Sequence, residues 1–186
     1  QTLSEEAVHN MALIVTGTSG NDIVAGTSDN DNISTSEGDD EINAGTGNDT
    51  VNSGPGNDTV ITGTGNDIIN TGSGDDTITS DGSGNKTIDA GSGNDTVTLD
   101  FRASHNVVGG DGNDHIAVET INQSSYRYNA PMMNTFNGGK GNDTLIGGVS
   151  KDTYIFNRGD GQDIIKDYNA GQTNEDKLVF GDGIAS

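Results

Sequence analysis

A glycine-rich, acidic unit of nine residues recurs along the first half of the chain and constrains its fold more than any other feature. The clearest copies stand in "GTGNDTVNSGPGNDTVITGTGNDIINTGSGDDTITS", residues 45–80. With the acid counted as position six, it recurs every nine residues at Asp22, Asp31, Asp40, Asp49, Asp58, Asp67 and Asp76. Strict repetition at so short a period predicts a solenoid, in which each unit packs against its neighbours.

Position eight of the unit is always β-branched, which favours strand over helix. It is occupied in turn by Val24, Ile33, Ile42, Val51, Val60, Ile69 and Ile78. We therefore predict a short strand at positions seven to nine, with position eight pointing inward, followed by a six-residue turn. Glycine supplies the backbone conformations that such a turn requires. Two units then form one coil, and the strands on its two sides meet in a narrow aliphatic core.

The composition alone is typical of a disordered chain, because only 28% of the residues are hydrophobic and the formal net charge is −21. All eight Lys and Arg residues lie at Lys86 or later. An acid-only first half repels nucleic acid and anionic membranes, and it attracts cations. The chain has no cysteine, which excludes disulfides and thiolate metal sites. It also has no apolar run of about 18 residues that would insert into a membrane.

The spacing of the acids indicates which cation the chain binds. Units n and n+2 stack about 4.8 Å apart, so their carboxylates lie close together along one edge. Such a ladder of like charges is unfavourable unless a cation lies between them. Calcium accepts six to eight oxygen ligands from carboxylates and carbonyls, and a glycine-rich turn exposes carbonyls. Magnesium fits less well, because it requires tight octahedral geometry and retains water.

Alternation of the units predicts two edges of the coil. The first edge carries Asp22, Asp40, Asp58, Asp76, Asp95 and Asp114, and the second carries Asp31, Asp49, Asp67, Lys86 and His105. We expect about five calcium ions on the first edge and about two on the second, which stops after Asp67. Asp143, Asp152 and Asp163 are further candidate ligands for one to three ions, giving roughly eight in total. The Lys86 ammonium either replaces an ion by pairing with Asp67 or, with His105, marks a degenerate repeat without a role.

The repeat resembles the RTX (repeats-in-toxin) calcium-binding nonapeptide, G-G-x-G-x-D-x-U-x. Matches cover most of residues 17–117 and 138–166, and the tail from residue 151 is similar to segments that commonly follow RTX blocks. The resemblance implies an all-β fold, a parallel β-roll or right-handed β-solenoid with calcium at the stacked turns. It also implies a structural module of a larger secreted or cell-surface adhesin or toxin. Such a module is exported by a type I secretion apparatus and folds in extracellular calcium.

The period divides the chain into five segments. Residues 1–16, with a short helix predicted in "SEEAVHNMAL", form an N-terminal cap, and residues 17–117 form the main roll. Residues 118–136 are an insertion without the repeat, either a contact surface or a hydrophobic patch that plugs the roll. Residues 137–166 form a second block. Residues 167–186 form a C-terminal cap or the start of a following segment, with a strand at "KLVF".

The sequence also bears on three alternatives to a calcium-binding structural module. A regular array that includes Thr46, Asn48, Thr64 and Asn66 resembles the ice-binding face of RTX-type antifreeze adhesins and is a candidate ligand face. An enzyme is disfavoured, because the chain lacks the HExxH, G-x-S-x-G and P-loop motifs. A solvated acidic linker would need no fixed period.

Overall fold

The computed structural model describes residues 12–119, 132–149, 151–167 and 175–181, and the regular structure there is entirely β-strand. Within those ranges no helix suited to crossing a membrane is found. In this part of the chain, seventeen strands form two sheets. Sheet 1 contains β1 (Ile14–Thr16), β3 (Asn32–Ser34), β5 (Thr50–Pro55), β7 (Asp67–Ser73), β9 (Lys86–Ser92), β11 (Asn106–Asp111), β13 (Thr135–Lys140), β15 (Thr153–Phe156) and β17 (Lys177–Phe180). Sheet 2 contains β2 (Ile23–Ala25), β4 (Glu41–Asn43), β6 (Thr59–Ile61), β8 (Thr77–Thr79), β10 (Thr96–Leu99), β12 (His115–Val118), β14 (Thr144–Ile146) and β16 (Ile164–Lys166).

The chain alternates between the two sheets, and each strand pairs in parallel with the strand two places further along. In sheet 1, Val51 lies opposite Ile69, and in sheet 2, Val60 lies opposite Ile78. Both pairs are two nonapeptides apart, so two units form one coil. The predicted parallel β-roll is confirmed.

The core is a double row of aliphatic side chains between the sheets. Every position-eight residue from Ile33 to Ile78 is at most 1% exposed, and Val107 is likewise buried as predicted. Towards the C-terminal end the row continues with two aromatic rings, Phe136 and Tyr154, whose centroids are 5.6 Å apart. The two sheets therefore meet in the narrow aliphatic core that the repeat predicts.

A second inward row lies at position one, which the sequence analysis assigned to the turn. Its small side chains are buried, and several are hydroxyl groups. Thr35 Oγ1 donates to the carbonyl of Ser53, and Ser53 Oγ donates to the carbonyl of Thr71, both at 3.0 Å. These two hydroxyl groups therefore compensate for their burial by bonding to the next coil.

The turns stack so closely that every unit with its position six between Asp49 and Asp95 carries glycine at positions two and four. Gly54 and Gly56, in the turn before Asp58, have φ values of 105° and 145°. A Cβ at Gly54 would clash with the backbone carbonyl of Ser36, and one at Gly56 with that of Gly38. Both the backbone conformation and the space exclude a side chain here.

The strand predicted at "KLVF" is β17, which pairs with β15. Around the insertion, β12 ends at Val118 and β13 begins at Thr135, so both sides of it belong to the roll. Tyr126 and Tyr128 of the insertion and nearly all of the helix predicted near the N-terminus lie outside the described residues. Phe136, the last residue of the predicted insertion, is instead a buried core residue in β13. The five segment boundaries remain predictions.

Candidate metal centre

The first edge is a continuous ladder of aspartates. The backbone N–H of Asp22 donates to Asp40 Oδ1 at 2.8 Å, and the N–H of Asp40 donates to Asp58 Oδ1 at 2.8 Å. The same contact repeats along the rest of the edge through Asp76, Asp95, Asp114, Asp143 and Asp163. The structure thus brings eight of the predicted ligands together on this edge, including two from the second block.

The second edge begins in the same way and then changes residue type. It runs through Asp31, Asp49, Asp67, Lys86, His105, Asn134, Asp152 and Asp176. Asp152, a predicted ligand, lies on this edge. Its Oδ1 accepts the backbone N–H of Asn134, the preceding residue of the edge. Asn134 and Asp176 were missed by the sequence analysis. Each of them stands one residue before a Thr or Lys and two before an apolar residue, Phe136 or Leu178, as at positions six to eight. Phe136 is buried, whereas Leu178 is exposed.

The second carboxylate oxygen of the interior aspartates is buried and, among the described residues, has no hydrogen-bond partner. This holds for Oδ2 of Asp40, Asp49, Asp58, Asp76, Asp95, Asp114 and Asp143. Burial raises the pKa of Asp95 to about 7 and the pKa of Asp76 and Asp114 to about 6. An ionised oxygen buried without a partner is costly, so a row of them indicates a missing positive charge.

Lys86 supplies the missing positive charge beside one of the interior aspartates, Asp67. Its ammonium lies 2.8 Å from Asp67 Oδ2, 2.9 Å from the Gly63 carbonyl oxygen and 2.7 Å from the Gly65 carbonyl oxygen. The Lys86 and Asp67 side chains are both fully buried. One cationic group thus sits among two turn carbonyls and one carboxylate. The interpretation of Lys86 as a residue without a role is wrong, because its charge fills the position next to Asp67.

Gly63, Gly65 and Asp67 occupy positions two, four and six of their unit, and other units repeat these residue types. In the unit of Asp58 the corresponding groups are the carbonyls of Gly54 and Gly56 and the orphaned Asp58 Oδ2. These are hard oxygen donors of the kind that calcium binds, with no nitrogen or sulfur among them. The residues present therefore fit calcium at the positions equivalent to the Lys86 ammonium.

The first two units differ from the interior ones. Position two there is threonine, and the Thr18 N–H donates to Asp22 Oδ2 at 2.7 Å. The Thr27 N–H donates to Asp31 Oδ2 at 2.6 Å in the same way. Asp22 and Asp31 thus have a protein partner for the oxygen that is orphaned in the interior, so we expect them to depend less on an ion.

His105 continues the ladder with a nitrogen in place of a carboxylate oxygen. Its Nδ1 accepts the Lys86 backbone N–H at 3.2 Å, which leaves Nε2 protonated to donate to the Asp100 carbonyl at 2.8 Å. Burial lowers the pKa of His105, which favours this neutral form. His105 is therefore a structural acceptor in the ladder, contrary to the interpretation that it has no role.

The predicted ligand face is exposed, and its side chains also have structural partners. Asn48 Oδ1 accepts the Asn66 N–H at 2.8 Å, and Thr46 Oγ1 donates to the Ser28 carbonyl at 3.3 Å. Thr46 and Thr64 are bridged through their backbones. These bonds explain the regular array without any ligand, and the use of Thr46, Asn48, Thr64 and Asn66 as a binding face stays a prediction.

One comparison with known proteins identifies the repeat. The model of the RTX calcium-binding nonapeptide repeat matches four times, at residues 16–51, 52–85, 80–100 and 132–165. These matches cover more than half of the chain and both edges of the roll. No curated protein sequence matches the chain.

Proposed function

Because the chain belongs to the RTX calcium-binding nonapeptide repeat family, we propose that it is a calcium-dependent structural module whose ions complete the fold. The observation that carries this proposal is the Lys86 ammonium, held by two glycine carbonyls and the Asp67 carboxylate. Wherever the chain keeps an aspartate in place of Lys86, calcium takes the position of that ammonium. The orphaned Oδ2 atoms mark seven such positions, close to the total of roughly eight expected from the spacing.

The mechanism is linkage between binding and folding. The rolled state aligns the carboxylates and turn carbonyls, whereas the unfolded chain separates them, so calcium binds the roll preferentially. Its binding free energy then becomes folding free energy. Without the ion, the buried like charges oppose the fold. Extracellular calcium modules typically bind at about 10⁻⁴–10⁻³ M, and we expect that range here.

Calcium-linked folding supports the proposal that the chain is a secreted or cell-surface module of a larger adhesin or toxin. A chain with net charge −21 stays unfolded where calcium is scarce and folds where it is abundant, which suits passage through a type I secretion apparatus.

The role is structural and not enzymatic, since the buried aspartates already belong to the ladders. Ice binding by the Thr46–Asn66 face is the alternative, and thermal hysteresis of the calcium-loaded protein would decide it.

The direct test is a calcium titration followed by far-UV circular dichroism, with EDTA reversal and a magnesium control. A cooperative change from coil to β-structure with calcium but not with magnesium is expected. A spectrum that is already β-rich in EDTA would show that the aliphatic core suffices, and the proposal would then be wrong.

A pair of variants tests the ion positions separately from the ladder. Asp58→Asn keeps an oxygen for the Asp40 N–H, a role that Asn134 already performs on the second edge, but it removes a charged ligand. Asp22→Asn is the control, because Asp22 Oδ2 has the Thr18 N–H as a partner. The calcium midpoint should rise several-fold more for Asp58→Asn. Equal midpoints would contradict the assignment.

A further inference from the structure

Three aspartates converge at the C-terminal end of the roll in an arrangement that the repeat does not produce. Asp152 precedes β15, Asp167 follows β16 and Asp176 precedes β17, and one carboxylate oxygen from each lies within 4.8 Å of the others. Asp152 and Asp176 are stacked on the second edge, where the Asp152 N–H donates to Asp176 Oδ1 at 3.0 Å. Asp167 instead comes from the end of a strand in sheet 2, outside any position-six slot.

Tyr154 provides an independent indication that these oxygens surround a ligand. The residue is only 3% exposed, and its hydroxyl has no hydrogen-bond partner among the described residues. A buried hydroxyl without a partner is costly, so it is a further oxygen that requires a counterpart.

Gly147 shows how tightly the oxygens converge. A Cβ added there would clash with the Tyr154 hydroxyl, and it would lie 2.5 Å from Asp152 Oδ2 and 2.9 Å from Asp167 Oδ1. Oxygens from three different parts of the chain thus surround one small space. The absence of a side chain at Gly147 allows these oxygens to approach one another.

We propose that Asp152, Asp167 and Asp176, with the Tyr154 hydroxyl, form a separate site for a hard divalent cation, calcium in extracellular surroundings. Four oxygen donors and no nitrogen or sulfur favour calcium over transition metals. Three carboxylates this close repel one another unless a cation joins them. The site fastens the start of β17 to the start of β15 and the end of β16, so it closes the roll. Only the identity of the ion rests on the proposed function.

The test uses terbium, a luminescent ion that substitutes for calcium at oxygen sites and is excited through a nearby tyrosine. The chain has no Trp and four Tyr residues. Tyr154→Phe keeps the ring that packs on Phe136, and Asp167→Asn keeps the shape of a half-buried side chain. Both variants should lose most of the tyrosine-sensitised emission, whereas Asp89→Asn, an exposed control on β9, should not.

Equilibrium dialysis with calcium gives the second measurement. Asp167→Asn should bind one ion fewer than the wild type and keep the β-rich circular dichroism spectrum of the roll. Asp176→Asn should lose the same ion, which guards against a folding defect in a single variant. The wild-type ion count and control-level emission in both aspartate variants would overturn the site.

The same data separate this site from the repeat sites. If only the repeats fail to bind, the wild type will hold about one ion, Asp58→Asn will leave it unchanged, and Asp167→Asn will remove it. If only the new site fails, Asp58→Asn will lower the ion count and Asp167→Asn will not.

Discussion

Replacing Lys86 by methionine tests the interpretation that its ammonium stands in for an ion. Methionine keeps most of the buried stem but removes the charge, so Asp67 Oδ2 loses its contact at 2.8 Å and two glycine carbonyls lose a donor. Breaking a buried ion pair by removing one partner costs about 3–5 kcal/mol. With a urea dependence of about 2 kcal/mol per M, the unfolding midpoint should fall by roughly 2 M.

The chain offers a matched control in Lys140→Met. Lys140 Nζ also lies 2.8 Å from a carboxylate, that of Asp111, but the two side chains are 70% and 61% exposed. An exposed pair contributes about 0–1 kcal/mol, so this control should barely move the midpoint. Urea unfolding of both variants in saturating calcium compares them. Similar small losses would refute the reasoning, because the Lys86 ammonium would then have no special role.

Lys86→Asp completes the experiment by restoring the acid of the repeat. At calcium concentrations that only just fold the wild type, it should be at least as unstable as Lys86→Met, because it places a second carboxylate beside Asp67. In saturating calcium it should recover stability and bind about one additional ion. Failure of calcium to rescue this variant would show that the turn carbonyls of Gly63 and Gly65 are not ion ligands.

Two further predictions follow from the turns and the buried acids. Gly56→Ala should prevent folding even in calcium, because its Cβ clashes with the Gly38 carbonyl. Gly20→Ala should fold normally, because a Cβ at this position of the first unit meets nothing within 4 Å. Circular dichroism in saturating calcium compares the two variants, and equal behaviour would contradict the stacking argument. The pKa of Asp95 is raised from 3.8 to about 7, so in EDTA any β-structure should form only at low pH, where the buried carboxyls are protonated, and should be lost as the pH rises towards about 7. Calcium requires the ionised form, so the calcium midpoint should instead rise as the pH falls from 8 to 5, and a pH-independent midpoint would refute carboxylate ligation.

The period of nine was sufficient to predict the roll, its register and most of the ladders. Because side chains alternate along a strand and units alternate between sheets, the position of one acid determines the edge of every other. The inward row at position one was not predicted. Thr35 and Ser53 look like turn residues in the sequence, and only the stacked coil shows that their hydroxyls reach a buried carbonyl.

The C-terminal ligands were harder to predict, because the non-repeat insertion interrupts the period before them. Asn134 and Asp176 stand in position-six slots, but no glycine-rich unit of regular length precedes either one. Asp167 follows no repeat rule and joins Asp152 and Asp176 only because the end of β16 lies near the starts of β15 and β17 in the folded roll. Long-range proximity of this kind depends on the folded roll and leaves no local pattern.

Anomalous diffraction from calcium-loaded crystals tests the central claim most directly. The account predicts a row of calcium peaks beside the carboxylates of the first edge from Asp40 to Asp143. On the second edge it predicts peaks that stop at Asp67, where the Lys86 ammonium takes the place of an ion. Absence of peaks between the stacked turns, or a calcium peak at the Lys86 ammonium position, would contradict it.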